Sequence, residues 1–189
     1  MSTPFESRSF CEGRVTILVG DISQQQVDVI VNAANSTLMG GGGVDGAIHH
    51  AGGPQILEEC KELRRTRFPK GLPTGEAVIT SGGKLAARHV IHTVGPIKGR
   101  AGDQDAQLLA ACYRNCLTLA VEHDLRTIAF PSISTGAFGY PREEAAFISS
   151  GAIASFLSTD MLLKGVRLVF YKPGDANVFL KNHGFAAKS

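Results

Sequence analysis

Two polar side chains beside a run of glycines are the first candidates for chemistry. The segment NAANSTLMGGGGVDGAIHHAGGP runs from residue 32 to residue 54 and contains Asn35 and Asp45. The amide of Asn35 offers a donor and an acceptor that suit vicinal sugar hydroxyls, although Asn is also an ordinary turn residue. Asp45 falls in the first turn of a predicted helix, where the helix dipole favours an anion. That compensation could be its whole role, or the carboxylate could hold and polarise a water molecule.

Two glycine-containing loops could bind phosphate through backbone N–H groups. Glycines 40 to 43 stand directly before a predicted helix, whose first N–H groups attract anions. A later loop, FPSISTGAFGYP (residues 130–141), carries Ser134, Thr135, Gly136 and Gly139, which can form an anion-binding nest. Two such loops facing each other suit a pyrophosphate without a lysine or arginine at the centre of either.

Two further residues each allow two interpretations. Phe138 lies between Ala137 and Gly139, so it could cover a sugar or base, or it could anchor the loop in the core. Asp21 follows the first predicted strand and could accept a hydrogen bond from an exocyclic amine. On local sequence, an Asx turn or a helix cap before Ser23 is the stronger interpretation of Asp21.

The histidines do not predict a metal site. His49 and His50 are adjacent, so they point in different directions on a helix, and we see no H-E-x-x-H motif and no carboxylate at ligand spacing. His92 lies in an apolar strand pattern and is expected to be a hydrogen-bonded core histidine. We expect no metal ion and no cofactor.

Two nucleotide-binding motifs are excluded. Residues 41–46 match G-x-G-x-x-G formally, but NAANSTLM separates them from the preceding strand, whereas the dinucleotide fingerprint follows its strand directly. Gly83-Lys84 is followed by Leu85 rather than by Ser or Thr, so there is no P-loop.

The elements that must position these residues alternate along the chain. Runs rich in β-branched residues predict strands over residues 14–19, 27–32, 77–80, 89–93, 127–130 and 166–171. Apolar spacing, acids in first turns and glycine or proline boundaries predict helices over residues 44–51, 54–63, 104–123, 142–157 and 175–182. This alternation predicts an α/β fold with a largely parallel sheet, in which the loops after the strands lie on one rim.

Length and composition limit the class of protein. The chain has 189 residues, 43% of them hydrophobic, and a formal net charge of +2. These values predict one domain over residues 1–189 and make nucleic acid or an anionic membrane unexpected partners. Cys11, Cys60, Cys112 and Cys116 form no C-x-x-C pair, and Cys112 and Cys116 are expected to be buried in a helix. Without a secretory signal or an apolar run of membrane-spanning length, the expected location is the cytoplasm.

The motifs together resemble the macrodomain family, and most closely its MacroD-type ADP-ribosyl hydrolases. The resemblance runs from about residue 14 to about residue 170. It is carried by GDI (20–22), the 32–54 segment, PTGEAVIT (73–80), HVIHTVGP (89–96) and AFPSISTGAFGYP (129–141). It implies a three-layer α/β/α fold with a mixed sheet and a cleft that binds ADP-ribose.

The resemblance also implies roles for individual residues. Asp21 would contact the adenine amine beside the backbone of Ile22, and Asn35 and Asp45 would lie at the distal ribose as the catalytic pair. The phosphates and the distal ribose would be bound by Gly43, Val44, Ser134, Thr135, Gly136, Ala137 and Phe138.

The implied reaction is hydrolysis of the ester between ribose C1″ and a glutamate or aspartate side chain of a mono-ADP-ribosylated protein, with O-acetyl-ADP-ribose as a related substrate. Asp45 would orient or activate water. A non-catalytic module that reads ADP-ribosylated proteins needs the same cleft and is the alternative. The chain departs from the family after the last strand, where an acidic stretch is replaced by Tyr171-Lys172-Pro173-Gly174.

Overall fold

The fold is built on one seven-stranded sheet. The computed structural model describes residues 5–186, and its strand order is β1-β2-β7-β6-β3-β5-β4. The strands are β1 (Arg8–Phe10), β2 (Val15–Val19), β3 (Val29–Ala34), β4 (Ala77–Ser81), β5 (His89–Val94), β6 (Thr127–Phe130) and β7 (Gly165–Phe170). The α-helices are α1 (Gly43–Gly52), α2 (Pro54–Thr66), α3 (Asp105–Glu122), α4 (Arg142–Leu157) and α5 (Pro173–Asn182).

The sheet is parallel inside and antiparallel at both edges. The five inner strands β2, β7, β6, β3 and β5 pair in parallel, whereas β1 pairs antiparallel with β2 and β4 pairs antiparallel with β5. The mixed sheet confirms the expected fold class. The edge strand β1 was not predicted, because its three residues are too few and too exposed to produce a recognisable pattern.

Helices cover both faces of the sheet and create two cores. Along β3, Val29 and Val31 join the core cluster that includes residues of α3, α4 and α5, whereas Ile30 joins the cluster that includes residues of α1 and α2. Successive residues of a strand point to opposite faces, so a strand covered on both sides carries apolar residues on both, as β3 does except at Asn32. This arrangement is the α/β/α layering expected from the sequence. No helix of residues 5–186 is both long and apolar enough to span a membrane.

The predicted helices form with small differences at their ends. α1 begins at Gly43 rather than at residue 44, α2 continues to Thr66, and α5 begins at Pro173. Proline suits that position because its missing N–H is one the first helical turn would leave without a partner. Cys112 and Cys116 are fully buried on α3, as expected.

Candidate functional site

Three loops that carry candidate residues leave the sheet on the same rim. β2, β3 and β6 belong to the parallel part of the sheet, so their carboxyl ends point in one direction. The loop after β2 holds Asp21, the loop after β3 holds Asn35 and leads to Asp45, and the loop after β6 holds residues 134–138. The structure therefore places the predicted residues around the rim where α/β sheets bind ligands.

Asn35 directly follows β3 and holds its own loop together. Its Oδ1 accepts hydrogen bonds from the backbone N–H of Thr37 (3.1 Å) and from the Thr37 hydroxyl. Its Nδ2 donates to the carbonyl oxygen of Gly40 (3.0 Å). The turn role that the sequence allowed is thus present. One N–H of the amide stays free to donate to a ligand, since the amide nitrogen carries two donors.

The carboxylate of Asp45 is buried at the start of α1, with its residue only 5% exposed. Its Oδ1 accepts a 2.7 Å hydrogen bond from Nδ2 of Asn32 and lies 3.4 Å from Nε2 of His49, one helical turn further on. A Cβ built on Gly41 would lie 3.2 Å from Oδ2 of Asp45 and 3.4 Å from Nδ2 of Asn35. Oδ1 of Asp45 is therefore held by Asn32, whereas Oδ2 faces the glycine loop beside Asn35.

Sequence reasoning missed the residues that hold Asp45. The sequence analysis looked for carboxylates only at metal-ligand spacing and so overlooked the contact of His49 with Asp45, although residues i and i+4 are neighbours on a helix. That spacing was the available signal. Asn32 gave no comparable signal, because it lies inside β3 and its partners come from another strand and from α1.

A buried polar network continues from Asn32 across the sheet. Nδ2 of Asn32 lies 3.1 Å from Nδ1 of His92, and Nε2 of His92 lies 2.9 Å from the hydroxyl of Thr80. The Asn32 amide must donate to the Asp45 carboxylate, so Nδ1 of His92 is assigned as an acceptor and its proton to Nε2. Burial, together with nearby His49, lowers the pKa of His92 to about 3, which keeps the ring neutral. His92 is the hydrogen-bonded core histidine that the sequence predicted.

The same region brings His49, Cys60 and His92 together, with ligand atoms within 4.8 Å of one another. In this network His92 Nε2 carries a proton, and burial raises the pKa of the Cys60 thiol to about 12. To bind a metal ion, Nε2 of His92 and the thiol of Cys60 would both have to lose their protons. The ring proton of His92 would then be on Nδ1, so the Asn32 amide would have to turn. The turned amide would place its oxygen beside Oδ1 of Asp45. The donor set thus fits a hydrogen-bonded network, and the absence of a metal ion stays a prediction.

The glycine loop presents free backbone donors to the rim. α1 begins at Gly43, which has φ +58°, and no side chain caps the helix. The first hydrogen bond of this turn among the described residues runs from the N–H of Gly46 to the carbonyl oxygen of Gly42. A Cβ on Gly46 would lie 2.6 Å from the carbonyl oxygen of Gly41, so the loop and helix approach too closely for any side chain there. The N–H groups of Gly43 and Val44 remain available to an anion.

The loop after β6, which the sequence predicts to form an anion-binding nest, is closed by two backbone hydrogen bonds. Hydrogen bonds from Tyr140 N–H to Ser134 O (2.9 Å) and from Gly139 N–H to Gly136 O (3.0 Å) close it. None of the N–H groups of residues 134–138 donates to another of the described residues. Ser134 has φ +66°, the left-handed conformation that occurs in such nests. Five consecutive N–H groups therefore have no hydrogen-bond partner within the described chain, as the predicted nest requires.

The two hydroxyl groups of this loop, on Ser134 and Thr135, differ in their surroundings. The Ser134 side chain is buried, and a Cβ on Gly95 would collide with its Oγ. The Thr135 hydroxyl donates to the carbonyl and hydroxyl oxygens of Ser132. Oγ of Ser134 has no hydrogen-bond partner among the described residues. The predicted contribution of this loop to anion binding therefore rests on its backbone N–H groups.

The remaining candidates lie around the same rim. Asp21 is exposed and caps a short 3-10 helix, with Oδ1 accepting from the N–H (2.8 Å) and hydroxyl (2.7 Å) of Ser23. Ile22 is buried in the core cluster of α1 and α2. Phe138 is half-buried, belongs to neither core cluster, and lines a cavity of about 290 Å³ together with Asn35. The anchor interpretation of Phe138 therefore loses its support.

Comparison with known proteins assigns the family. A family model described as "Macro domain" matches residues 31–149, the segment that contains Asn35, Asp45 and both donor loops. The chain belongs to the macrodomain family. This macrodomain is 52% identical over 167 residues to a macro domain-containing protein of Streptomyces griseus, and the match covers 88% of this chain and 91% of that protein.

Two further similarities bear on activity and ligand. A Salmonella newport protein named O-acetyl-ADP-ribose deacetylase is 49% identical to this macrodomain over 168 residues, which is 89% of this chain and 93% of the relative. The solved structure of an Oceanobacillus iheyensis macrodomain with ADP has a TM-score of 0.89 and 46% identity, with 94% of each chain covered.

Proposed function

We propose that this macrodomain binds ADP-ribose and hydrolyses esters of it. The substrates are mono-ADP-ribose esters on glutamate and aspartate side chains of proteins, together with O-acetyl-ADP-ribose. The observation that carries the proposal is the Asp45 carboxylate, which is buried, held at one oxygen by Asn32, and open at the other oxygen towards Asn35 and the glycine loop.

The cleft accounts for each part of ADP-ribose. The pyrophosphate lies between the N–H groups of Gly43 and Val44 on one side and those of residues 134–138 on the other. The adenine amine donates to Asp21, whose Ser23 hydrogen bonds both use Oδ1, and lies beside the Ile22 backbone. The distal ribose lies at Asn35 and under Phe138. The solved relative with bound ADP supports a nucleotide in a fold of this kind.

The reaction adds one water molecule across the ester. Oδ2 of Asp45 accepts a hydrogen bond from that water and aligns it with the reacting carbon, while Asn35 holds the ribose. One ester C–O bond breaks, the water supplies OH to one fragment and H to the other, and the carboxylic acid released then ionises. Most of the acceleration comes from positioning, since a carboxylate at a helix start is a weak base. The name of the Salmonella newport relative supports ester hydrolysis.

The deciding experiment compares wild type with Asp45→Ala on a protein mono-ADP-ribosylated at glutamate, following the free ADP-ribose released. We expect release by the wild type, none by the variant, and calorimetric binding of ADP-ribose by both. A variant that retains full activity would contradict the role of Asp45. Binding by both proteins without release by either would indicate a reader of ADP-ribosylated proteins instead.

A further inference from the structure

A cavity of about 290 Å³ adjoins the cleft, and Asn35 lines it whereas no residue of the glycine loop does. Asn35 and Phe138 line its edge, so the cavity begins where the distal ribose is proposed to lie. Its remaining walls come from the end of β5, the loop after β5 and the first turns of α3, together with Ser36 after β3 and Thr74 before β4. None of the residues proposed above to bind adenine or phosphate, apart from Phe138 of the nest, lines this cavity.

The walls of the cavity are held by a dedicated set of hydrogen bonds. Asp105 is only 3% exposed, and its carboxylate accepts from the backbone N–H groups of Gly99 and Ala101. The N–H of Lys98 donates to the carbonyl oxygen of Phe138 (3.0 Å), which ties the loop after β5 to the phosphate nest. Hydrogen bonds therefore hold the cavity walls in place and fix their position relative to the proposed ribose site.

The lining has the chemistry of an aliphatic binding site with a charged entrance. Val94, Pro96, Ile97 and Leu108 supply apolar surface. Arg100 also lines the cavity, is exposed, and forms no ion pair with any residue of the described chain. Asp105 is part of the lining as well, with its carboxylate held by the N–H groups of Gly99 and Ala101.

We propose that this cavity, here called the acyl cavity, receives the acyl group esterified to ADP-ribose, and that it selects aliphatic acyl chains of glutamyl length over acetyl. The inference rests on the proposed function. A water-sized group occupies about 30 Å³, so the three heavy atoms of an acetyl group leave most of the acyl cavity empty. The methylenes of a glutamyl ester contact the apolar wall, and the peptide that continues from them passes Arg100.

The test uses two substrates, O-acetyl-ADP-ribose and a peptide carrying ADP-ribose on a glutamate. Thr74→Trp inserts an indole at an exposed position of the lining, and Arg100→Glu reverses the charge. Thr118→Trp and Arg114→Glu make the same changes at exposed positions elsewhere on α3. We expect Thr74→Trp to lower kcat/KM for the peptide about tenfold and for the acetyl ester less than about twofold, because only the longer chain fills the cavity.

Arg100→Glu is expected to lower kcat/KM for the peptide about fivefold, because solvent weakens the interactions of an exposed charge. Both control variants should behave as wild type, and the affinity for free ADP-ribose should be unchanged in all four. Equal losses on both esters, or no loss on the peptide in either cavity variant, would overturn the proposal.

A failure of the proposed hydrolysis can be told apart from a failure of the acyl cavity. If the wild type hydrolyses neither ester, calorimetry with the intact ADP-ribosylated peptide replaces kinetics. The acyl cavity then predicts that Thr74→Trp weakens binding of the peptide about tenfold relative to free ADP-ribose. An unchanged ratio of the two affinities would refute it.

Discussion

Nδ2 of Asn32 donates a 2.7 Å hydrogen bond to Oδ1 of Asp45, and the same nitrogen lies 3.1 Å from Nδ1 of His92. The amide therefore joins the proposed water-holding carboxylate to the centre of the sheet. Its own Oδ1 has no hydrogen-bond partner among the described residues, although it is buried. This unsatisfied oxygen indicates that the orientation of the amide is set by the hydrogen bonds of its nitrogen to Asp45 and His92.

Replacing Asn32 by alanine should impair catalysis without impairing ligand binding. The substitution removes the donor that holds Asp45, and leaving buried partners unsatisfied also costs about 1–3 kcal/mol of stability. We expect kcat to fall by about ten- to a hundredfold with little change in KM. Steady-state kinetics and calorimetry with ADP-ribose measure the two effects.

A matched control separates this role from general destabilisation. Asn182→Ala also removes an amide, which donates to the carbonyl oxygen of Val178 on α5. It should lower the free energy of unfolding but leave kcat unchanged. A parallel loss of kcat and ADP-ribose affinity in Asn32→Ala would mean that Asn32 only supports the fold.

Removing the ring of Phe138 should weaken ADP-ribose binding. Phe138 lies outside both core clusters and lines the cavity beside Asn35, so its ring is available to a ligand. We expect Phe138→Ala to cost about 1–2 kcal/mol of binding free energy, the value of a stacking contact. Phe147→Ala, at a residue 66% exposed on α4, is the comparison and should bind normally. Unchanged affinity together with lower stability would show that Phe138 is a structural residue.

Adding one methyl group at Gly46 should disturb the glycine loop. A Cβ there would lie 2.6 Å from the carbonyl oxygen of Gly41, so the backbone must move. Gly46→Ala should lower stability by about 1–3 kcal/mol and weaken ADP-ribose binding about tenfold, because the N–H groups of Gly43 and Val44 shift with the loop. Thermal unfolding and calorimetry measure these changes.

Gly151→Ala is the control for Gly46→Ala and should raise stability rather than lower it. This position lies inside α4, and outside its own stretch of helix backbone no atom lies within 4 Å of an added Cβ, so alanine should stabilise the helix by about 0.5–1 kcal/mol. ADP-ribose affinity should not change. Normal binding by Gly46→Ala would contradict the close approach of loop and helix.

Because of His92, the free energy of unfolding should already decrease as the pH is lowered below 6.5, where carboxylates are still ionised. Its pKa is lowered from 6.5 to about 3 in the folded protein, chiefly by burial. Between these values the unfolded chain binds a proton that the folded chain does not, so the free energy of unfolding decreases as the pH falls. One such group contributes a slope of about 1.4 kcal/mol per pH unit.

His92→Gln removes this slope. Urea titrations between pH 6.5 and pH 4.5 should show a flatter dependence for the variant, whatever its absolute stability. His183→Gln is the comparison, since burial also lowers the pKa of His183 but that residue is only half-buried. Identical slopes in wild type and His92→Gln would show that His92 is protonated in the folded state.

Several elements could be predicted because their signals are local. β3 is apolar on both faces, which requires only that adjacent residues be hydrophobic, and α4 has the predicted ends at Arg142 and Leu157. The position of Asp45 in the first turn of α1 follows from the glycines before it. The common rim follows from the alternation of strands and helices, because parallel strands end on the same side.

Only the tertiary structure decided what surrounds these residues. Asn32 meets His92 because β3 and β5 pair in that register, and Val78 meets His92 because β4 runs antiparallel on the other side, which brings neighbouring Thr80 within reach. The acyl cavity likewise depends on α3 packing where the loop after β5 meets Phe138. The sequence determined the elements and the polar residues at their ends, since propensity and periodicity act over a few neighbours. Strand order, register and the burial of polar groups depend on contacts between residues far apart in the chain, so they are settled only when the sheet assembles.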